Sequence, residues 1–141
     1  MTTRPTDELM RELFQANHID MYIKENESTF VDCTIADALQ FFLEQKQLPK
    51  AVAIKNAEIN EIYGFQIFSG KRKPSRDKLL CLCVGMKLNT QETQQLLKFS
   101  GYAPLYPKSK RDSIILFGIN AEQNMLEINE SLYSFDEPTL N

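Results

Sequence analysis

Apolar residues recur along this chain at intervals of three and four positions, the spacing that places side chains on one face of an α-helix. In one clear example Ile35, Leu39 and Leu43 follow Thr34, and Asp37 completes the pattern of a capping box. Residue types that favour helix caps also begin the later periodic segments. No segment shows a convincing strand pattern. The sequence therefore predicts an all-α fold.

Caps, glycines and prolines divide the periodic segments into individual helices. We predict helices over residues 34–47, 50–56, 60–68, 75–85 and 89–100, one from about residue 109, and one over 124–133. Upstream, Thr6 is placed to cap a short helix, and residues 19–23 form a second amphipathic turn. This pattern divides the chain into an N-terminal helical arm (1–33), a central domain (34–100) and a C-terminal helical extension (101–141) packed with it as one globular unit.

Length and composition exclude several classes of protein. A chain of 141 residues with 43% hydrophobic residues can form one ordinary core. No apolar stretch is long enough for a membrane span and no secretory signal is visible, so we expect a cytoplasmic protein that does not bind membranes. One histidine and three cysteines lack the spacing of a zinc site. Without a nucleophile motif or a phosphate-binding loop, we expect neither catalysis nor a cofactor.

Charge is distributed unevenly along the chain, although the formal net charge is -3. Residues 47–88 contain eight basic and three acidic residues, whereas both flanking segments are acidic. We call residues 47–88 the basic island. Because the distribution of charge matters more than its total, the island is the part of the chain suited to a polyanion such as DNA.

Two short predicted helices and a tight turn at residues 57–59 lie inside the basic island. From residue 59 the sequence reads INEIYGFQIFSGKRKPS, followed by DKLL at residues 77–80. These residues resemble the Xre, or phage-repressor-like, helix-turn-helix family, and the resemblance extends over about residues 35–100. The segment is also similar to a group of small regulators from Firmicutes. The resemblance implies a lambda-repressor-like five-helix DNA-binding core with a short N-terminal helical arm and additional C-terminal helices.

In such a motif the first helix lies across the DNA backbone and the second, the recognition helix, enters the major groove. Residues 60–68 would be that recognition helix. Gln66 is the best candidate base reader, because its amide can pair with N6 and N7 of adenine. The cations beside the helix would contact phosphate oxygens. The candidate DNA-binding residues are Lys50, Asn60, Glu61, Ile62, Phe65, Gln66, Ser69, Lys71, Arg72 and Lys73.

Three residues depart from the family pattern. Glu58 occupies a turn position that usually holds a glycine in the left-handed conformation, which costs another residue about 1 kcal/mol. Glu61 places an acid on the groove-facing surface, where it repels phosphates unless it accepts from a cytosine amine. Gly64 replaces a larger apolar residue, and we expect Phe65 or Phe68 to fill the space.

Two functions remain open from the sequence. The first is a sequence-specific transcriptional regulator that binds double-stranded operator DNA as a homodimer. The second is a protein-interaction module on the same scaffold, which would use Ile62 and Phe65 to bind a partner regulator or kinase. The N-terminal arm could also cover this apolar pair.

Overall fold

The computed structural model describes residues 10–11 and 33–141. The chain divides into two compact units, Met1–Cys33 and Thr34–Asn141. Residues 10–11 are helical, whereas the predicted Thr6 cap and the turn at 19–23 lie outside the described residues. The described part contains no strand, so the all-α prediction is confirmed. Its second unit contains α1 (Ile35–Lys46), α2 (Lys50–Ala57), α3 (Glu61–Phe68), α4 (Arg76–Gly85), α5 (Thr90–Phe99), α6 (Lys110–Asn120) and α7 (Met125–Ser134).

Side-chain caps begin most of these helices, as the sequence predicts. Thr34, Asn89 and Asn124 each form a complete capping box with the acidic residue three positions later. Ser75 and Ser109 accept the backbone N–H groups at the starts of α4 and α6. Each such cap satisfies a donor that has no partner inside its own helix. Local polar chemistry thus sets where these helices start.

One hydrophobic core extends through the second unit, and α4 lies at its centre. Leu79, Leu80 and Leu82 of α4 are fully buried, and the core continues to Leu132 in α7. α4 also approaches α2 closely at Gly85, where a Cβ atom would lie 2.4 Å from a backbone oxygen of α2. Glycine has no Cβ atom, so it permits this approach. The C-terminal helices α6 and α7 therefore share their core with the helices that precede them.

α3 packs against α1 and α2, and its one glycine faces α2. A Cβ atom on Gly64 would lie 2.7 Å from Cγ2 of Ile54, so the Ile54 side chain already occupies that space. The expectation that Phe65 or Phe68 fills it is wrong. Phe65 remains 39% exposed, and Phe68 is buried on the core side of α3. A larger residue on α2 compensates for the missing side chain on α3.

Candidate functional site

The turn between α2 and α3 contains a residue in the left-handed conformation, as the family resemblance implies. Glu58 has φ 54° and ψ 38°, in the left-handed region, and its N–H donates to the carbonyl of Lys55 at 3.1 Å. A side chain in this conformation costs about 1 kcal/mol relative to glycine. The turn is therefore strained, is held by this backbone hydrogen bond, and joins two short helices.

α3 begins with a side-chain cap. Asn60 Oδ1 accepts the backbone N–H of Tyr63 at 3.0 Å, which confirms the predicted Asn cap. This bond leaves the Nδ2 group of Asn60 as its outward donor. Glu61 lies exposed in the first turn and forms no ion pair with any described residue. An acidic side chain in the first turn interacts favourably with the positive end of the helix dipole, so Glu61 stabilises α3 even without a ligand.

The outer face of α3 is exposed and partly apolar. Ile62 is 70% exposed, and Phe65 is also exposed. On the opposite side Gly64, Ile67 and Phe68 are buried against the core. The helix therefore has one face fixed by packing and one face that contacts solvent.

Gln66 and Arg72 are directly joined across the end of α3. Arg72 Nε donates to Gln66 Oε1 at 2.9 Å, although the two residues are six positions apart. The Arg72 guanidinium also lies 5.9 Å from the centre of the Tyr63 ring, within the range of a cation–π contact. The sequence predicts both residues as part of the site, but their pairing is visible only in the structure.

The end of α3 forms a Schellman motif around Gly70. Gly70 has φ 84°, its N–H donates to the Ile67 carbonyl, and the N–H of Lys71 donates to the Gln66 carbonyl at 2.9 Å. The Ser69 hydroxyl donates to the same Gln66 carbonyl at 3.0 Å. This motif ends the helix. The three residues that follow Gly70 in the chain are cations.

These three cations, Lys71, Arg72 and Lys73, are all exposed, and we call them the basic exit. None of them forms a salt bridge within the described part of the chain. Lys73 Nζ lies 5.2 Å from the Tyr102 ring centre, and Lys50 Nζ lies 5.8 Å from that of Phe68. The aromatic contacts restrict these lysines without neutralising them.

Other charges of the basic island have structural partners. Arg76 forms a salt bridge with Asp112 at 3.1 Å, and Asp77 receives two guanidinium hydrogen bonds from Arg111, each 3.0 Å long. These four residues join α4 to α6, and we call them the α4–α6 junction. Lys55 and Lys87 instead line a separate cleft of about 990 Å³ beyond the end of α2. The sequence places Arg76 in the basic island but predicts neither pairing, because the partners are 34 and 36 positions apart in the chain.

The cysteines of α4 are poorly placed to act as nucleophiles. Cys81 and Cys83 are buried, and desolvation raises the pKa of each thiol to about 12. A thiol of this kind stays protonated near neutral pH and is a poor nucleophile. Among the described residues no group of three potential ligands could hold a metal ion, and no helix is long and apolar enough to cross a membrane.

Comparison with known proteins identifies no relative. No protein-family model, no curated protein and no solved structure matches the chain. The resemblance to the Xre family therefore stays a prediction.

Proposed function

We propose that the protein is a sequence-specific regulator that binds double-stranded DNA, with α3 as the recognition helix of a lambda-repressor-like core. The observation that carries the proposal is the exposed outer face of α3, followed at once by the unpaired basic exit. A helix with one buried face and one exposed face is the unit that enters a major groove. In this arrangement α2 lies across the sugar-phosphate backbone.

The charge distribution supports the same orientation. Lys71, Arg72 and Lys73 lie beside the end of α3, and Lys50 lies in the first turn of α2 near Phe68. Four cations on the elements that would flank the groove can contact phosphates, which supply affinity and register but little specificity. The cations of the α4–α6 junction are excluded from this role because carboxylates already hold them.

Base recognition would come from the outer face of α3. Gln66 presents an amide, and Ile62 and Phe65 present apolar surface suited to thymine methyl groups. Asn60 Nδ2, at the start of the helix, can donate to a phosphate oxygen. The Ser69 hydroxyl, at its end, could do so only by giving up its bond to the Gln66 carbonyl. Glu61 weakens binding near phosphates and favours a cytosine amine at its position.

Selection of bound duplexes from a random pool, with the full-length protein, tests the proposal. We expect enrichment of one discrete motif, arranged as an inverted repeat with half-sites about 10 base pairs apart if two copies bind as a two-fold dimer. Glu61→Gln is expected to change the preference at one position of that motif. Absence of any enriched motif at low salt would contradict DNA recognition.

A second candidate function is a protein-interaction module, and the exposure of Ile62 and Phe65 favours it. A neighbouring apolar pair on an exposed helix is typical of a surface that binds another protein. The selection experiment separates the two functions first, because a module that binds only a protein enriches no duplex. Where a duplex is enriched, Ile62→Ser tests which role this residue has. For a DNA reader it changes the preferred base at one position, whereas for a protein-binding surface it leaves DNA preference unchanged.

A further inference from the structure

The end of α3 brings two polar side chains into a fixed arrangement. Arg72 approaches Gln66 twice, because its Nε donates to Oε1 at 2.9 Å and its backbone N–H donates to the Gln66 carbonyl at 3.2 Å. The backbone contact belongs to the turn at Gly70. The guanidinium is further restricted by the ring of Tyr63. The side-chain contact is therefore supported by the backbone and by an aromatic neighbour.

A glutamine amide has two orientations of nearly the same shape, which exchange Oε1 and Nε2. A guanidinium carries only donors, so only the orientation with Oε1 towards Arg72 forms the observed bond. The reversed orientation would place the Nε2 donors of Gln66 opposite the N–H donors of Arg72, and the charge-assisted hydrogen bond would be lost. Arg72 therefore selects one of the two amide orientations before any ligand arrives.

The selected orientation determines what Gln66 can recognise. Oε1 keeps one acceptor position, and Nε2 keeps two donors. In the major groove adenine presents a donor at N6 and an acceptor at N7, whereas guanine presents acceptors at O6 and N7. A fixed amide matches adenine with both groups, but its oxygen would face the O6 acceptor of guanine.

We propose that Arg72 is a positioning residue that holds the Gln66 amide in the orientation that reads adenine in a DNA major groove. This inference rests on the proposed function, since it needs DNA as the ligand. The sequence position of Arg72 suggests only phosphate contact, and this inference gives the residue a second role in base specificity. The terminal Nη1 and Nη2 groups of Arg72 can contact phosphate while Nε holds Gln66.

Charge and positioning can be separated by substitution. Arg72→Lys keeps the positive charge but removes the planar guanidinium that donates to Oε1. Lys98→Arg is the matched control, because it exchanges the same pair of residue types at an exposed position in α5, outside the proposed DNA-binding surface. Gln66→Ala identifies the base position that Gln66 reads. Thermal unfolding of each variant establishes that the fold is retained.

The experiment measures affinity of these proteins for the selected duplex and for every single-base variant of it. We expect the unmodified protein to prefer adenine at the Gln66 position by about 5- to 150-fold. Arg72→Lys should reduce this adenine preference nearly to the level seen in Gln66→Ala. The double variant with both substitutions should show no further reduction of the preference. Preferences at the other positions and the dependence on salt should stay unchanged in Arg72→Lys. Lys98→Arg should retain every preference and the original affinity.

Different results overturn different statements. Full adenine preference in Arg72→Lys, or an equal loss of affinity for all duplexes, overturns the positioning role and leaves DNA recognition intact. A preference for guanine at the Gln66 position, or no position that depends on Gln66, overturns the base assignment. If the unmodified protein discriminates between no duplexes, the proposed function fails and this inference fails with it.

Discussion

The basic exit and the α4–α6 junction are both rich in cations, but the structure uses them in opposite ways. At the junction Asp112 is buried and accepts from Arg76 and from the Tyr106 backbone N–H at 2.9 Å. At the basic exit Lys71 and Lys73 remain exposed and form no salt bridge with any described residue. The Lys71 backbone N–H donates to the Gln66 carbonyl, and Lys73 Nζ lies over the Tyr102 ring. A cation paired with a carboxylate in a partly buried contact contributes to architecture, whereas an exposed unpaired cation is available to a ligand.

Removal of a junction cation should have the largest effect on stability. Arg76→Ala leaves the buried Asp112 carboxylate without its ion-pair partner and also removes hydrogen bonds to the carbonyls of Ala103 and Pro104. Breaking a fully buried ion pair costs about 3–5 kcal/mol. Solvent reduces that cost at the partly exposed Arg76, so we expect a loss of about 2–4 kcal/mol in the free energy of unfolding. Urea unfolding measures it.

Arg72→Ala is the matched control from the basic exit. It removes the same side chain from an exposed position and should change the free energy of unfolding by no more than about 1 kcal/mol, because its hydrogen bond to Gln66 and its contact with the Tyr63 ring both lie at the surface. Equal losses in Arg76→Ala and Arg72→Ala would remove the distinction between the two regions.

The helix caps explain why so much of the fold follows from sequence. Residues such as Asn89 and Glu92 bond to each other's backbone within one turn, so their pattern is visible in the sequence. Local chemistry likewise predicts Gly70 at the end of α3, whereas the left-handed conformation of Glu58 is expected only from the family resemblance. Helix boundaries of the described residues are therefore predictable to within one or two positions.

Contacts between distant residues could not be predicted in the same way. Ile54 fills the space at Gly64 because α2 and α3 cross there, and Arg111 reaches Asp77 across 34 sequence positions. The Arg72 contact with Gln66 depends on the turn angle at Gly70 rather than on helical periodicity. The sequence thus indicates candidate residues for the site, whereas the fold decides which of their charges have no carboxylate partner.

The Asn60 cap tests whether polar residues of the α3 surface also have structural roles. Asn60→Ala removes the acceptor for the Tyr63 N–H and should lower the free energy of unfolding by about 1 kcal/mol. Asn60→Asp keeps a capping acceptor, so it should retain most of the stability. Chemical denaturation compares the two variants, and equal losses would contradict the cap.

The strained turn should give the smallest change, in the opposite direction. Glu58→Gly relieves the left-handed conformation but increases the freedom of the unfolded chain, so we expect a gain of about 0.5 kcal/mol. Glu58→Ala is the control, because it retains the strain and should give no such gain. Thermal and urea unfolding measure both variants. A destabilised Glu58→Gly protein would show that this side chain has a structural role beyond the turn.

The dependence of DNA affinity on salt tests most directly whether the basic exit binds DNA. Each phosphate contact that is lost should flatten the slope of log affinity against log salt concentration by about 0.9. With the selected duplex, we expect Lys71→Ala, Arg72→Ala and Lys73→Ala each to show this change. Lys98→Ala, at an exposed position in the last turn of α5, should keep the original slope. Unchanged slopes in all three basic-exit variants would contradict the account.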